Sequence, residues 1–426
     1  MKEARVGISE IELYIPPGKI TLENLVAFRL QQDPSLERRL TRAVDVTGQK
    51  AIRFPLAFQD NATLAASAAR GLYIRRKDEN PTGLRYIAIG TETAVDHSKP
   101  IAAYLQGMLQ RSGIAVPDTL SSFQVQHACA GGTVSLLGIA ALLQAGGRDG
   151  DSGLVVCSDI ARYEAPSTAE ITQGAGAVAM QLERDPDLLE FDLRSTGYCS
   201  NDVDDFFRPL GSVTAKVKGG YSVQCYHAAF ERALIDHAER LGTTPAQALR
   251  ETEIFVLHVP FKNMALTALM KAVQKHLTMD EHEAEAFLQQ RGFQQSLDAC
   301  TQVGNIYSGS AYLAMTFALQ ERFKTLGSDI VGRNVMIASY GSGNTMLVFR
   351  ATVAEKAPQV IRNWNLDAIW QHVQPENIDA YLQWIDTPSD DEQQNQRLQK
   401  AHVPANMFAL DSIREDGYRE YSFHEA

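Results

Sequence analysis

The stretch Gln126-His127-Ala128-Cys129-Ala130-Gly131-Gly132-Thr133 precedes the apolar run 134–143, and this pattern predicts a turn that leads into a buried helix. The unpaired N–H groups and the dipole at a helix start stabilise a thiolate, which is the nucleophilic form of cysteine. We therefore expect Cys129 to be a nucleophile at the start of this helix. The alternative is a small buried apolar residue, the commoner role of a free cysteine.

The composition is that of a globular protein. The chain has 426 residues, of which 45% are hydrophobic and 21% are charged, and this length suggests two or three domains. The first residues are charged where a signal peptide needs an apolar stretch, and no run approaches the length of a membrane span. We therefore expect a soluble, cytoplasmic protein without a membrane partner.

Two further classes are disfavoured. The five cysteines show neither metal-ligand spacing nor the disulfide framework of a small domain, so we expect reduced thiols and no metal site. The net charge of −11 argues against a nucleic-acid partner, although acidic proteins can carry local basic patches.

Short β-rich runs alternate with long helical stretches, which is typical of an α/β fold with buried strands. In the first half, the predicted strands are 86–91, 122–126 and 153–158, and a helix is predicted near 102–112. In the second half, the predicted strands are 254–257 and 334–338, and a helix is predicted at 311–319.

The second half repeats the pattern of the first. Asn305 precedes a predicted helix and lies 176 residues after Cys129, whereas His258 closes a predicted strand and lies 166 residues after Glu92, which also closes one. These similar spacings indicate an internal duplication. Because such halves present functional groups at the carboxyl ends of their strands, we expect these four residues to meet in one site.

Each of these residues also has a structural alternative. Taken singly, Glu92 is more often a solvated strand end or part of a surface pair, and His258 is more often a hydrogen-bonded core histidine. Asn305 is a common type of helix cap. Their recurrence at equivalent points of two halves favours a functional set.

Several motifs, in their order and spacing, resemble those of the hydroxymethylglutaryl-CoA synthase family. They are 90–96, 127–131, 258–261, 303–310 and 339–343, with further matches at 161–163, 172–178 and 205–209. The resemblance runs from Val6 to about Val353 and weakens beyond it. It implies a thiolase-like α/β fold of five αβαβα layers built from two duplicated halves. We expect domain 1–180 to carry Glu92 and Cys129, and domain 181–426 to carry His258, Asn305 and a helical C-terminal extension.

The resemblance also implies an activity, the joining of acetyl-CoA to acetoacetyl-CoA in the mevalonate pathway of isoprenoid biosynthesis. Cys129 would carry the acetyl group, Glu92 would remove a methyl proton, and His258 would hold and protonate the ketone oxygen. Asn305 and the backbone around Ser342 and Gly343 would position the second substrate and stabilise oxyanions. The other expected substrate-binding residues are Tyr163, Thr172, Ser222 and Lys262. The family further implies a homodimer that uses no cofactor beyond its CoA substrates.

The sequence departs from the family at two places. His127 and Ala130 flank Cys129 where the family commonly has an acidic residue or Asn before it and Tyr after it. Loss of that tyrosine would widen the pocket or alter how water reaches the thioester. His127 is either a cation that lowers the pKa of the thiol or a residue packed under the turn.

The second departure follows His258. Asn263 and Thr267 stand where the family usually has lysines near the CoA phosphates. Lys262 or Lys271 is expected to substitute, because a flexible ammonium reaches a phosphate from neighbouring positions.

Two other functions stay open. One is the same condensation on a β-keto group held by an acyl carrier protein, for polyketide branching, and a basic collar at the tunnel mouth would favour it. The other is a non-catalytic thiolase-like binding scaffold. We expect the glycines of 172–176 to serve close packing, since they lack dinucleotide-binding spacing. The tail, with Trp364, Trp370 and Trp384, is expected to be helical decoration followed by a solvated loop at 388–395.

Overall fold

The computed structural model describes residues 4–386, 388 and 390–425. The first three residues, which contribute to the expectation of no signal peptide, lie outside the described residues. Ser389 of the predicted loop lies outside them too.

Fifteen strands and sixteen α-helices make up the described part of the chain. The strands are β1 (Val6–Tyr14), β2 (Gly18–Thr21), β3 (Ala51–Phe54), β4 (Leu84–Gly90), β5 (Ser121–Val125), β6 (Ser152–Ala161), β7 (Gly174–Arg184), β8 (Leu189–Ser200), β9 (Phe206–Phe207), β10 (Lys216–Val217), β11 (Thr252–Leu257), β12 (Asn334–Gly341), β13 (Thr345–Val353), β14 (Met407–Ile413) and β15 (Arg419–His424). The helices are α1 (Leu22–Gln32), α2 (Glu37–Thr47), α3 (Asn61–Arg76), α4 (Ile101–Arg111), α5 (Gly131–Gly146), α6 (Gly219–Arg240), α7 (Pro245–Glu251), α8 (Lys262–Leu277), α9 (Glu281–Gln290), α10 (Phe293–Ser296), α11 (Asp298–Thr301), α12 (Ser308–Leu326), α13 (Ala357–Arg362), α14 (Ala368–Gln371), α15 (Ile378–Ile385) and α16 (Asp391–Lys400).

Nine strands form one sheet in the order β11-β12-β13-β8-β1-β7-β6-β4-β5. Its two parts meet at a short antiparallel pairing, where Gly7 and Ile8 of β1 face Glu190 and Leu189 of β8. The order β4-β6-β7-β1 in the first part matches β11-β12-β13-β8 in the second, with the same parallel and antiparallel pairings. The predicted duplication is therefore visible in the topology, although the described second part has no counterpart of β5.

Helices cover both parts of the sheet and fill the space between them. α3 packs on β1, β6 and β7 from one side, and α6 packs on β8 and β13 from the other. α5 and α12 contact each other in the middle, where α5 packs on β4 and β6 and α12 packs on β11. The five-layered αβαβα fold is thus confirmed. The domain boundary at residue 180 stays a prediction; β7 runs across that position.

The central helix α5 corrects one expectation. The segment Ala128–Gly146 has 19 residues with a mean hydropathy of 1.6, which is long and apolar enough to cross a membrane. The statement that no run approaches a membrane span was therefore wrong. Its position between two sheet layers explains the buried apolar residues of α5, such as Leu136 and Ile139, whereas Val134 and Leu142 are 36% and 44% exposed.

Glycines bring the start of α5 against the sheet. A Cβ atom on Gly90 would lie 2.1 Å from the backbone nitrogen of Gly132, and one on Gly132 would lie 2.3 Å from the Sγ of Cys157. Side chains at these positions would therefore force α5 away from β4 and β6. This close approach is the physical reason for the Gly-Gly pair that follows the Cys129 turn.

The tail is more structured than expected. Asp390 accepts a hydrogen bond from the backbone of Gln393 and caps α16, so residues 391–395 of the predicted loop are helical. β14 and β15 form a hairpin, in which β14 contacts α3 and β15 contacts α4. The tryptophans attach the tail to the core: Trp364 donates to Glu10 and Trp384 stacks on Phe54.

Candidate active site

A cavity of about 750 Å³ lies beside the starts of α5 and α12. Seven of the nine predicted site residues line it, namely Cys129, Tyr163, Thr172, Ser222, His258, Asn305 and Ser342. Glu92 stands directly behind this wall, with its Oε1 4.0 Å from the Sγ of Cys129. Lys262 is not part of the described wall.

The four central residues come from equivalent points of the two halves, as the spacing predicts. Glu92 follows β4 and His258 follows β11, whereas Cys129 and Asn305 precede the central helices α5 and α12. Their exposed fractions are 8% for Glu92, 7% for Cys129, 1% for His258 and 3% for Asn305. Water is therefore largely excluded from the reacting groups, which strengthens electrostatic interactions among them.

Burial sets the charge state of Glu92. Removal from water, together with the nearby carboxylate of Asp159, raises the pKa of Glu92 to about 8. Asp159 also fixes the backbone here, because its Oδ1 accepts hydrogen bonds from the N–H groups of Glu92 and Thr93. A carboxyl group with this pKa can both accept and return a proton near neutral pH.

The surroundings of Cys129 contradict the expectation of a resting thiolate. Burial and the carboxylate of Glu92 raise the pKa of the Cys129 thiol well above its ordinary value. Cys129 also lies one residue before the N-cap of α5, which is Ala130, and so is outside the first helical turn. The thiol is therefore the resting form, and it needs a proton acceptor when it attacks.

His258 is fully enclosed, and burial lowers its pKa to about 3. Its backbone is held from both sides, since its N–H donates to Ala338 and its carbonyl accepts from the hydroxyl of Tyr226. The imidazole is therefore neutral at neutral pH. A neutral imidazole donates a hydrogen bond to a substrate oxygen but is a poor proton source, so the protonating role expected for His258 is disfavoured.

Asn305 is not the cap of α12, because the N-cap residue is Tyr307. Its Oδ1 accepts from the backbone N–H of Tyr307 at 2.9 Å, while its Nδ2 donates to the Tyr163 hydroxyl at 3.3 Å. The backbone N–H of Asn305 donates to the carbonyl of Thr172. The amide is thereby fixed beside two other predicted binding residues.

Asp205 is a site residue whose role the sequence does not reveal. This fully buried carboxylate accepts from Ser222, from the Tyr340 hydroxyl and from the Gly343 N–H. It therefore joins α6 to the loop after β12. Since the Gly343 N–H is already engaged, it is not available as the oxyanion donor expected there. The sequence signal for this residue is the family-like motif 205–209, which does not by itself indicate a role for Asp205.

The departure from the family at Asn263 has a structural explanation. The Asn263 amide donates to the carbonyls of Asp45 and Val46 at the end of α2, so this residue caps a helix. Lys262 pairs with Asp298 at 2.6 Å, and its predicted phosphate contact stays a prediction. Lys216, an exposed residue of β10, is the lysine on the described cavity wall.

The residues around Cys129 are tightly packed. Ala130 is fully buried, and a Cβ on Gly341 would lie 2.8 Å from the Ala130 side chain. The His127 carbonyl accepts from the Ala130 N–H, and burial lowers the pKa of the His127 imidazole. A neutral, packed His127 is favoured over a cation that activates the thiol. Among the described residues, no cluster of His, Cys, Asp or Glu has the arrangement of a metal site.

Comparison with protein families gives two matches. Residues 2–187 match the model described as hydroxymethylglutaryl-coenzyme A synthase N terminal, and residues 271–424 match its C-terminal counterpart. The match extends through most of the tail, where the motifs alone had weakened. The hydroxymethylglutaryl-CoA synthase of Haloferax volcanii is 30% identical over 376 residues, which cover 79% of this chain and 81% of that protein.

Solved structures share the fold over essentially the whole chain. MvaS in complex with 3-hydroxy-3-methylglutaryl coenzyme A superposes with a TM-score of 0.85 at 30% identity and covers 100% of both chains. The curacin biosynthetic pathway HMG synthase in complex with holo donor-ACP has a TM-score of 0.81 at 22% identity, with 98% of this chain and 100% of that one covered. At that lower identity the likeness concerns the fold.

Proposed function

This chain belongs to the hydroxymethylglutaryl-CoA synthase family, and from that premise we propose that it condenses acetyl-CoA with acetoacetyl-CoA to give 3-hydroxy-3-methylglutaryl-CoA and CoA, a step of the mevalonate pathway. The observation that carries the proposal is that Cys129, His258 and Asn305 line one cavity, with Glu92 4.0 Å from the Sγ of Cys129.

The first step transfers the acetyl group to the enzyme. The Sγ of Cys129 attacks the acetyl carbonyl carbon, the bond from that carbon to the CoA sulfur breaks, and the thiol proton passes to the departing CoA sulfur. Because the thiol is the resting form, the reaction needs a group that moves this proton. Ionised Glu92, 4.0 Å from the Sγ, is placed to do so.

The second step forms the carbon–carbon bond. Glu92 takes a proton from the acetyl methyl, and the resulting enolate attacks the ketone carbon of acetoacetyl-CoA. His258 donates a hydrogen bond to the ketone oxygen as negative charge develops, while Asn305 and Tyr163 position this substrate. Protonated Glu92, with a pKa of about 8, then returns its proton to the new alkoxide, and the proton balance closes. Water finally cleaves the Cys129 thioester and releases the product.

The runner-up is the same chemistry on a carrier-bound β-keto group. One exposed lysine on the cavity wall, Lys216, is a small part of the basic collar that an acidic carrier requires. The non-catalytic scaffold is disfavoured, because a binding scaffold does not require a carboxyl group of raised pKa placed 4.0 Å from a cavity-lining thiol. We further propose a cytoplasmic homodimer, as is expected from the family.

Two measurements test the proposal. Intact mass after mixing with acetyl-CoA should increase by one acetyl group, a result that a binding scaffold would not give. The acetyl-enzyme should then release product with acetoacetyl-CoA. If an acetoacetyl carrier protein is preferred by orders of magnitude in kcat/KM, the mevalonate assignment is wrong although the catalytic residues stay the same.

A further inference from the structure

One wall of the cavity is formed by the segment that follows β6. Tyr163 and Thr172 of this segment line the cavity, and both contact Asn305, through the Tyr163 hydroxyl and the Thr172 carbonyl. This wall therefore helps to position Asn305, through the Nδ2 of its side chain and through its backbone N–H. Its main-chain support comes from a buried side chain, since the Tyr163 N–H donates to the Oε1 of Gln173 at 2.8 Å.

Gln173 is in turn held by the C-terminal tail. Its Nε2 donates to the hydroxyl of Tyr381 on α15 at 2.9 Å, and that hydroxyl donates to the Oε1 of Glu170 at 2.9 Å. The Glu170 carboxylate also accepts from the guanidinium of Arg29 on α1, at 2.7 and 3.2 Å. All four residues are at least nine-tenths buried.

The surrounding packing holds Tyr381 in place. Its ring makes an edge contact with Phe54 and a tilted contact with Trp384, which stacks on Phe54. Arg162, the residue before Tyr163, donates to the carbonyl of Ile385 at the end of α15. The helix α15 is thus attached to the wall at both Gln173 and Arg162.

We infer that Tyr381 is a positioning residue for the second substrate, acting through Gln173 and Tyr163 on Asn305. The inference rests on the proposed function and gives a role to the C-terminal tail, which carries no motif with an evident chemical role. Tyr381 does not line the described cavity. Its hydroxyl connects the side-chain amide that holds Tyr163 to the carboxylate of the buried Arg29–Glu170 ion pair.

Replacing Tyr381 by Phe should disturb the wall without emptying the core. The ring and its packing stay, but the buried Nε2 of Gln173 loses its acceptor, and a buried polar group without a partner is costly. Gln173 is then expected to turn toward Glu170 and release the Tyr163 N–H. The acetyl-accepting side of the site, Cys129 and Glu92, lies outside this chain of hydrogen bonds.

The experiment compares Tyr381→Phe with Tyr421→Phe. Tyr421 is a matched control, because it is also a buried tail tyrosine whose hydroxyl donates to a carboxylate, Asp60, that an arginine contacts. Neither Tyr421 nor Asp60 lines the described cavity. Acetylation of Cys129 is followed by intact mass, condensation by single turnover, and stability by denaturant unfolding.

In Tyr381→Phe we expect the KM for acetoacetyl-CoA to rise and condensation to slow by about three- to tenfold each, the size of one lost buried hydrogen bond. Acetylation should stay near the wild-type rate. Tyr421→Phe should lose similar stability and keep wild-type kinetics. Adding Tyr381→Phe to a Gln173→Leu variant should change the KM and the condensation rate little further, because the two residues act through one hydrogen-bond network.

The inference is wrong if the two tyrosine variants have the same kinetics. It is also wrong if Tyr381→Phe loses acetylation and condensation equally, because Tyr381 would then have a structural role alone. Full additivity with Gln173→Leu would also overturn the inference. Failure of the proposed function is distinguishable, because wild-type protein would then form no acetyl-enzyme at all.

Discussion

The turn before α5 and the turn before α12 have a similar backbone conformation. Each precedes a central helix at an equivalent point of a half, and each contains residues with positive φ: Ala128 at 40° in the first, Gly304 at 90° and Tyr307 at 47° in the second. The two turns also bond to each other. Ser308 accepts from the Gly132 N–H at 3.0 Å and donates to the Cys129 carbonyl at 2.8 Å.

The two turns differ in what they present to the cavity. The first presents a thiol beside a carboxyl group, whereas the second presents an amide that is already hydrogen-bonded to Tyr163 and Tyr307. The strand ends differ in the same way, because burial raises the pKa of Glu92 to about 8 and lowers that of His258 to about 3. A duplicated fold thus gives a reactive half and a substrate-holding half through a few side chains.

The largest expected effect removes the reactive group of the first turn. Cys129→Ser should abolish acetyl labelling and lower turnover by at least about a thousandfold, since a serine hydroxyl is a far weaker acid than a thiol and gives up its proton to Glu92 much less readily. Intact mass and steady-state kinetics measure both quantities, and circular dichroism checks the fold. Normal labelling of this variant would place the nucleophile elsewhere.

Glu92→Ala should separate the two steps at the first half. The variant should still become acetylated at Cys129, slowly if the carboxylate relays the thiol proton, yet condense about a hundred- to ten-thousandfold less, the usual contribution of a general base. Deuterium exchange of the enzyme-bound acetyl methyl reports the base directly. Undiminished exchange would remove Glu92 from this role.

The unequal pKa values of the two strand ends predict the pH profile. The single-turnover condensation rate should rise about tenfold per pH unit below about pH 8 and level off above it, because Glu92 must be ionised to act as a base. His258 should add no second limb above about pH 5. A flat profile between about pH 6 and 8 would contradict the raised pKa.

The ionisation of Glu92 that speeds condensation as pH rises should lower the free energy of unfolding over the same pH range. The unfolded chain ionises Glu92 near its ordinary pKa of 4.5, whereas the folded chain does so near about 8, so the contribution of Glu92 to stability falls as pH rises through that window. Glu92→Gln should therefore gain stability relative to wild type at the upper end of the window. Urea unfolding at both ends measures this difference.

A smaller effect is expected from separating the two turns. Ser308→Ala leaves the Gly132 N–H and the Cys129 carbonyl without their partner, which should cost about 1–3 kcal/mol of unfolding free energy. Acetylation should slow severalfold as Cys129 loses its fixed position. Thr316→Ala, which removes another buried hydroxyl of α12 that bonds within the helix, is the control and should leave acetylation unchanged.

The smallest effect concerns the cavity mouth. Lys216→Ala should raise the KM for acetyl-CoA severalfold with kcat nearly unchanged, and Lys262→Ala should do less because Lys262 already pairs with Asp298. Added salt should shrink the loss, since exposed charges are screened. A larger loss in Lys262→Ala would restore the expectation drawn from the family.

Residue patterns predicted an α/β fold and the four central residues that the structure brings together, whereas the five layers were implied by the family resemblance. Predicted strands such as 86–91 and 254–257 agree with β4 and β11 to within about two residues, because buried strands have a strong local signal. The similar spacings of Glu92 with His258 and of Cys129 with Asn305, 166 and 176 residues, revealed the duplication. The prediction of a loop at 388–395 was wrong for residues 391–395, because α16 depends on the Asp390 cap rather than on an apolar pattern.

The charge states of the site residues and the hydrogen bonds that hold them in place depend on packing between segments that are distant in the sequence. The motif around Cys129 predicted a thiolate from the helix start alone, but enclosure by both halves and the approach of Glu92 reverse the direction of its pKa. Likewise, the amide that holds Tyr163 depends on Tyr381, over two hundred residues away in the chain. Local sequence encodes backbone geometry and residue type, whereas dielectric surroundings and hydrogen-bond partners arise when segments far apart in sequence share one buried volume.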